Sequence, residues 1–304
     1  MEKAISVLVV GATGYLGMEI CRQLTSAHNH QVKGLVRTSS DPSKVSQLHQ
    51  MGVETITGDM KDPDSLDTAF MDVDVVISTA SSTISRSEGD SIEAVDEIGQ
   101  LNVIDAAIDS GVNQLIYISF PESQHQSPLQ DAKRKVEQYL VESGLVYTIL
   151  RPTVFMEVWL GPVIGFDYPN YKATIFGEGK NKISWIALKD VATFAVLSVA
   201  NPEAYNTKVN LGGPEGLSPL ECVRIFEEQS GRPFQLEFVP EEALHMQKDN
   251  STDALQQSFA ALMLMYAEGS EIDMKDTIRK FPVQLTSVRE YSRQVVPRKL
   301  SASI

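Results

Sequence analysis

Apolar runs alternate with amphipathic stretches through the first half of the chain. Short runs rich in β-branched residues occupy Ser6–Val10, Gln31–Val36, Glu54–Thr57, Val73–Ser78, Gln114–Ser119 and Val146–Leu150. Between them, apolar residues recur at helical spacing over Leu16–Ser26, Ser43–Gln50, Asp64–Phe70, Ile92–Ser110 and Leu129–Ser143. Strands that are apolar on both faces and separated by helices predict a parallel sheet covered on each side. With right-handed crossovers this is an α/β fold with a doubly wound sheet.

After Arg151 the rhythm breaks. Glycine, proline and aromatic residues crowd Pro152–Trp185, a helical pattern returns at Leu188–Ala200, and Lys208–Leu211 reads as one more strand. Ser218–Ser230 carries the signature of a capping box, serine followed three residues later by Glu221. Phe234–Val239 alternates like a half-buried strand, and the remainder is helical and acidic before a basic tail from Pro297. The expected organisation is a dinucleotide-type α/β domain over 1–155 and a smaller α/β lobe over 156–304, built on the sheet edge rather than folding independently.

Composition adds three constraints. Forty acidic against 26 basic residues give a net charge of −14, which argues against nonspecific binding to nucleic acid or anionic lipid. Any site for an anionic ligand is therefore a local exception to the overall field. Two cysteines, Cys21 and Cys222, each inside a helical pattern, make no redox or metal-ligand pair. No run approaches the roughly 18 apolar residues of a membrane span, and the chain opens on a strand without a signal-type segment, so a cytoplasmic or similarly reducing compartment is expected.

The stretch SVLVVGATGYLGMEI places Gly11, Gly14 and Gly17 between a strand and a helix. That context makes the spacing a fingerprint for the pyrophosphate of a dinucleotide in a Rossmann fold. Gly11 allows the tight turn, Gly14 lets the backbone approach the ligand, and Gly17 packs the helix close to the strand. Thr13, Tyr15 and Leu16 complete the loop. NAD-binding folds place an acid about 20 residues beyond the loop; here Arg37 stands there, followed by Thr38, Ser39 and, further on, Lys44. A guanidinium suits a 2′-phosphate, so NADP(H) is expected over NAD(H), the alternative being a solvated surface arginine. Asp59 and Met60 fall where an adenine would lie, although Asp59 is equally placed to cap the next helix. Thr79, Ala80 and Ser81 follow the fourth strand and are expected along the ribose and diphosphate.

GATGYLG, the VR pair, GDMKDPDSL, VDEIGQLNVIDAAIDSGVNQLIYIS and KRKVEQYLVESGLVYTILRP together resemble the NmrA-like and isoflavone-reductase-like branch of atypical short-chain dehydrogenases. The likeness is good from about Ile5 to Phe155. It implies a Rossmann domain, NADP(H), and either reductase chemistry or a regulatory or assembly role. Standard short-chain dehydrogenases use a Tyr-x-x-x-Lys pair; here Lys133 matches the lysine while Leu129 stands at the tyrosine position. The resemblance therefore implies that Lys133 holds the nicotinamide ribose or assists catalysis, the alternative to a catalytic role being a purely cofactor-binding or surface one. It also places the nicotinamide against Pro152, Thr153, Val154 and Phe155, with Ser119, Phe120 and Pro121 opposite.

Three functions follow. The first is NADPH-dependent hydride transfer to an apolar conjugated carbonyl or quinone, with Lys133 at the ribose and His125 or solvent supplying the proton. The second is an NADP(H)-binding sensor, regulator or assembly factor acting on a protein partner. The third, a sugar-nucleotide epimerase or dehydratase, is disfavoured by the missing tyrosine. Phe155–Gly179, with Trp159, Phe166, Tyr168, Tyr171 and Phe176, forms either an apolar lid over the substrate or the core of the second lobe. His28, His30 and His49 are given no role.

Overall fold

The computed structural model describes residues 4–27, 29–84 and 86–296; His28 and the basic tail from Pro297 lie outside the described residues. The strands are β1 (Ile5–Val10), β2 (His30–Val36), β3 (Glu54–Thr57), β4 (Val75–Ser78), β5 (Gln114–Ile118) and β6 (Val146–Pro152). They are followed by β7 (Phe166–Asp167), β8 (Lys172–Phe176), β9 (Ile183–Ser184), β10 (Thr207–Leu211), β11 (Gly216–Leu217) and β12 (Gln235–Val239). The central seven-stranded sheet runs β10-β6-β5-β4-β1-β2-β3, and β1 through β6 pair in parallel. The order reverses between β1 and β4, which opens the crevice in which such sheets carry their ligands.

Helices α1 (Tyr15–Ser26), α2 (Pro42–Gln50), α3 (Leu66–Ala69), α4 (Gln100–Asp109) and α5 (Pro128–Glu142) connect the parallel strands. The apolar faces of α3, α4 and α5, with Leu66, Val103 and Val136, pack in one buried cluster with Leu8, Val76, Leu115 and Ile149 of the sheet. The single helix expected over Ile92–Ser110 is instead wound in two ways: Ile92–Gly99 is π-helical and α4 continues it. Ser91 caps its start through the Ala94 N–H.

The chain forms two compact units. Among the described residues, one comprises those of 4–120, 128–151 and 191–209; the other comprises those of 121–127, 152–190 and 210–296. Sequence rhythm suggested one boundary after residue 155, whereas the chain passes between the units several times, and the helical segment after Asp190 belongs with the first. The second unit holds α6 (Met156–Trp159), α8 (Pro219–Ser230), α9 (Glu241–Asn250), α10 (Ala254–Glu268), α11 (Lys275–Lys280) and α12 (Val288–Val295); α7 (Leu188–Leu197) starts in it and ends in the first. The Ser218 capping box forms as expected. The three-stranded sheet β12-β8-β7 lies in the second unit. Its core settles the aromatic question: Phe166 and Phe176 are buried, Trp159, Tyr168 and Tyr171 pack against them, and Trp159 stacks on Tyr266 at 5.4 Å. These residues are core.

Candidate functional site

β1 runs straight into Gly11, whose φ of +84° lies in the left-handed region. A side chain there would bring its Cβ to 2.7 Å from Thr79 Oγ1, and one at Gly17 would reach 2.2 Å from the Gly11 carbonyl oxygen. The fold alone demands both glycines. Gly14 differs: its φ is −76°, and among the described residues an added Cβ would meet one atom within 4 Å, the Gly11 oxygen at 3.2 Å. A side chain here meets only that oxygen, which would have to yield by a few tenths of an ångström, so Gly14 is the least crowded of the three glycines.

Gly14 is the N-cap of α1, with no side-chain cap and no acidic residue in the first turn. The first N–H groups of any helix lack intrahelical acceptors, and the helix dipole favours an anion there. The cleft above is walled by Gly11, Thr13, Gly14, Arg37, Asp59, Met60, Thr79, Ala80 and Ser81, all expected from sequence, together with Ser40 and Asp90, which were not. Gln100, buried on α4, holds this wall: it accepts from Ser78 Oγ at 2.7 Å and donates to the Ala80 carbonyl at 2.8 Å. Tyr15, Leu16, Gly17, Thr38 and Ser39 do not line the cleft. Ser40 replaces its two neighbours because the turn at the end of β2 closes from Ser40 N to the Arg37 carbonyl. Asp59 lines the wall without capping a helix; Asp62 stands at the next helix start, and Asp59 accepts from the Lys61 N–H at 3.0 Å.

Arg37 is not a solvated surface residue. Its Nη1 donates to both oxygens of Asp90, at 3.0 and 2.8 Å, and Nη2 donates to Ser87 Oγ at 3.2 Å. Lys61 Nζ donates to Asp90 Oδ1 at 2.6 Å. Burial alone pushes the Asp90 pKa up, but Arg37, Lys61 and the Ser87 N–H outweigh it and bring it down to about 2.

Lys133 lies on α5, outside the cleft wall, and is 5% exposed. Its Nζ sits 3.5 Å from Asp96 Oδ1, 3.4 Å from the Ile118 carbonyl and 5.0 Å from the centre of the Tyr117 ring. Burial favours the neutral amine, but the Tyr117 and Asp96 oxygens more than compensate and its pKa is raised. Tyr117 is held protonated, chiefly by its own burial. Asp96 is fully buried on the π-helical segment, where it accepts from Ser82 N and Oγ, at 3.0 and 2.7 Å. Leu129, four residues before Lys133, is buried too.

Pro152, Thr153, Val154 and Phe155 are mostly engaged with their own unit. The Thr153 N–H donates to the Leu211 carbonyl at 2.8 Å, and Val154 is part of the core. Phe155 caps α6 and bridges to Ile186. His125 is buried beside Glu268, with Nε2 2.9 Å from Oε1, and its ring meets that of His245 at 5.8 Å. Ser40, Lys61, Ser87, Asp90, Asp96 and Gln100 are the residues that sequence reasoning missed.

A doubly wound sheet with a glycine-built crevice at its first crossover defines a Rossmann-type α/β protein. The chain belongs to the NmrA-like family, which it matches over residues 3–292. It is 29% identical over 303 residues to the isoflavone reductase homolog IRL of Zea mays, covering 94% of this chain and 96% of the relative. It is 28% identical over 308 residues to the photosystem II assembly factor Ycf39 of Synechocystis sp., covering 96% and 91%. Among solved structures it superposes on the NADPH-dependent quinone oxidoreductase QOR2 of Escherichia coli with a TM-score of 0.76 at 21% identity, covering 95% of this chain and 99% of that one.

Proposed function

We propose that the protein binds NADP(H) in the cleft of its first unit and transfers hydride to an apolar conjugated carbonyl or quinone. The observation that carries this reading is Gly14, the least crowded of the three loop glycines and, unlike Gly11, without a left-handed φ, at an uncapped helix start facing the cleft. Space for a ligand's approach accounts for it. The pyrophosphate would sit against the α1 N–H groups, the adenosine toward Asp59 and Met60, and the 2′-phosphate toward Arg37. Thr79, Ala80 and Ser81 line the path between. Bound there, the cofactor supplies the hydride; the chain supplies position and exclusion of water. Lys133, charged and buried beneath the end of β5, would hold the ribose. The Zea mays relative carries a reductase name, and the quinone oxidoreductase shares the fold.

A second reading is favoured by a specific feature: Leu129 replaces the proton-donating tyrosine, and the Lys133 ammonium is engaged by Asp96. On this reading the protein binds NADP(H) and acts on a protein partner, as the name of the Ycf39 relative suggests for that protein. Single-turnover mixing of the NADPH-loaded protein with a naphthoquinone, an enone and an azo dye separates the two. Accelerated loss of the dihydronicotinamide absorbance supports the reductase. Tight binding with no acceleration for all three overturns it in favour of the second reading.

A further inference from the structure

We propose that Asp90 is a resident competitor of the cofactor's 2′-phosphate: it occupies Arg37 and Lys61 in the free protein and is displaced when a 2′-phosphorylated dinucleotide binds. The proposal rests on the reading above, that the cleft takes NADP(H).

The Asp90 carboxylate is 2% exposed and gathers two cations and a backbone N–H: Arg37 Nη1, Lys61 Nζ and Ser87 N, the last at 2.8 Å. Two cations and a main-chain donor converging on one set of oxygens is the arrangement that suits a phosphate. The carboxylate thus sits where the expected ligand's anion would be recognised. Lys61 also lies 3.8 Å from Asp59, so the two cations at this end are matched by two carboxylates. A dianionic phosphate entering a balanced site gains little attraction while both carboxylates stay, because two anions a few ångströms apart in a partly desolvated cleft repel strongly. Removing Asp90 from Arg37 restores the imbalance that binding needs.

The segment bearing Asp90 is built to let go. Ser87 to Asp90 form a tight turn, closed by Asp90 N donating to the Ser87 carbonyl at 3.1 Å, with Gly89 at φ +78°. Glu88 and Gly89 at its tip are exposed. Beyond the turn, Ser91 is fixed as the N-cap of the π-helical segment. The turn can therefore swing toward solvent about Ser91 without disturbing the helix. A dinucleotide lacking the phosphate leaves Arg37 and Asp90 together. Asp90 then sets the ratio of NADPH to NADH affinity, lowering a preference that Arg37 alone would make larger.

The test is a double-mutant cycle on dissociation constants measured by calorimetry for NADPH and NADH. Asp90→Asn is expected to tighten NADPH by about tenfold and to leave NADH within about twofold. In an Arg37→Ala background the same substitution is expected to tighten NADPH clearly less, by about threefold or under, because one of the two contested cations is gone and Lys61 alone remains. Unchanged or weaker NADPH binding by Asp90→Asn overturns the proposal, as does an equal gain with Arg37 removed, which marks general charge repulsion. Asp90→Ser serves if the asparagine variant does not fold. Amide exchange on the unmodified protein gives an independent readout: NADPH, and not NADH, is expected to speed exchange at Ser87 and Asp90. Equal protection with both dinucleotides overturns the proposal. Binding of neither dinucleotide by wild type or variant brings down the cofactor reading itself, and the proposal with it.

Discussion

Arg37 owes its position to β2, which delivers it to the cleft, and its orientation to Asp90. Arg37→Ala is expected to weaken NADPH by at least about tenfold while moving NADH far less, since a guanidinium–phosphate contact is a strong, charge-assisted one; equal losses in a competitive titration would remove the 2′-phosphate assignment. Asp90 also gives a pH signature. Its folded pKa of about 2 lies below the roughly 3.9 of an unfolded aspartate, so its contribution to stability is complete above about pH 4 and fades as pH falls toward 2. The melting-temperature gap between wild type and Asp90→Asn is expected to be constant at neutral pH and to shrink across that acidic window. A gap that persists unchanged at pH 2 would show that the carboxylate is not held by these partners. Arg37 was legible in sequence because its distance from the glycine loop is a fixed feature of the first crossover. Asp90 was not: it lies 53 positions further on, in a stretch that reads as an ordinary polar loop, and only folding brings it to Arg37.

At the scale of elements, α1 and the π-helical segment carry the argument. Gly17→Ala drives a methyl into the Gly11 carbonyl and is expected to cost about 3 kcal/mol or more, or to prevent folding. Gly14→Ala keeps a permitted φ but presses on the Gly11 oxygen at 3.2 Å, so it is expected to cost about 1–2 kcal/mol, less than Gly17→Ala, yet to weaken dinucleotide binding at least about tenfold. Thermal melts alongside titrations read both, and a Gly14→Ala protein that binds normally would contradict the role given to this position. The Asp96–Lys133 pair ties the π-helical segment to α5. Lys133→Met strands a buried carboxylate and is expected to destabilise by about 3–5 kcal/mol, with Asp96→Asn added to it recovering part of the loss. Additive losses in chemical denaturation would mean that the two do not act as a pair. The extra hydrogen-bond register of this segment left no trace in the apolar pattern, because Ile92, Val95 and Gly99 keep a spacing that an α-helix also gives. The aromatic stretch after Phe155 was similarly ambiguous. Its partners Phe226, Phe234 and Tyr266 are far away in sequence, and composition does not say whether a ring faces a ligand or another ring.

At the scale of the whole molecule, the net charge of −14 opposes any dinucleotide, so recognition falls to a few local features: the α1 N-terminus, Arg37 and Lys61. No helix among the described residues is long and apolar enough to cross a membrane. The parallel sheet and its glycine crossover were legible because strand and helix periods repeat over six strands; the lobe after Arg151 was not, because its elements are short and its core joins distant segments. Family membership fixes the scaffold, while relatives with reductase and assembly-factor names leave the chemistry to the site. The most direct measurement is a calorimetric titration of the purified protein with NADPH and, separately, NADH. One-to-one saturation, with NADPH the tighter ligand, is the expected result. No binding of either dinucleotide, in a protein that melts cooperatively, would contradict the cofactor reading on which the proposed function stands.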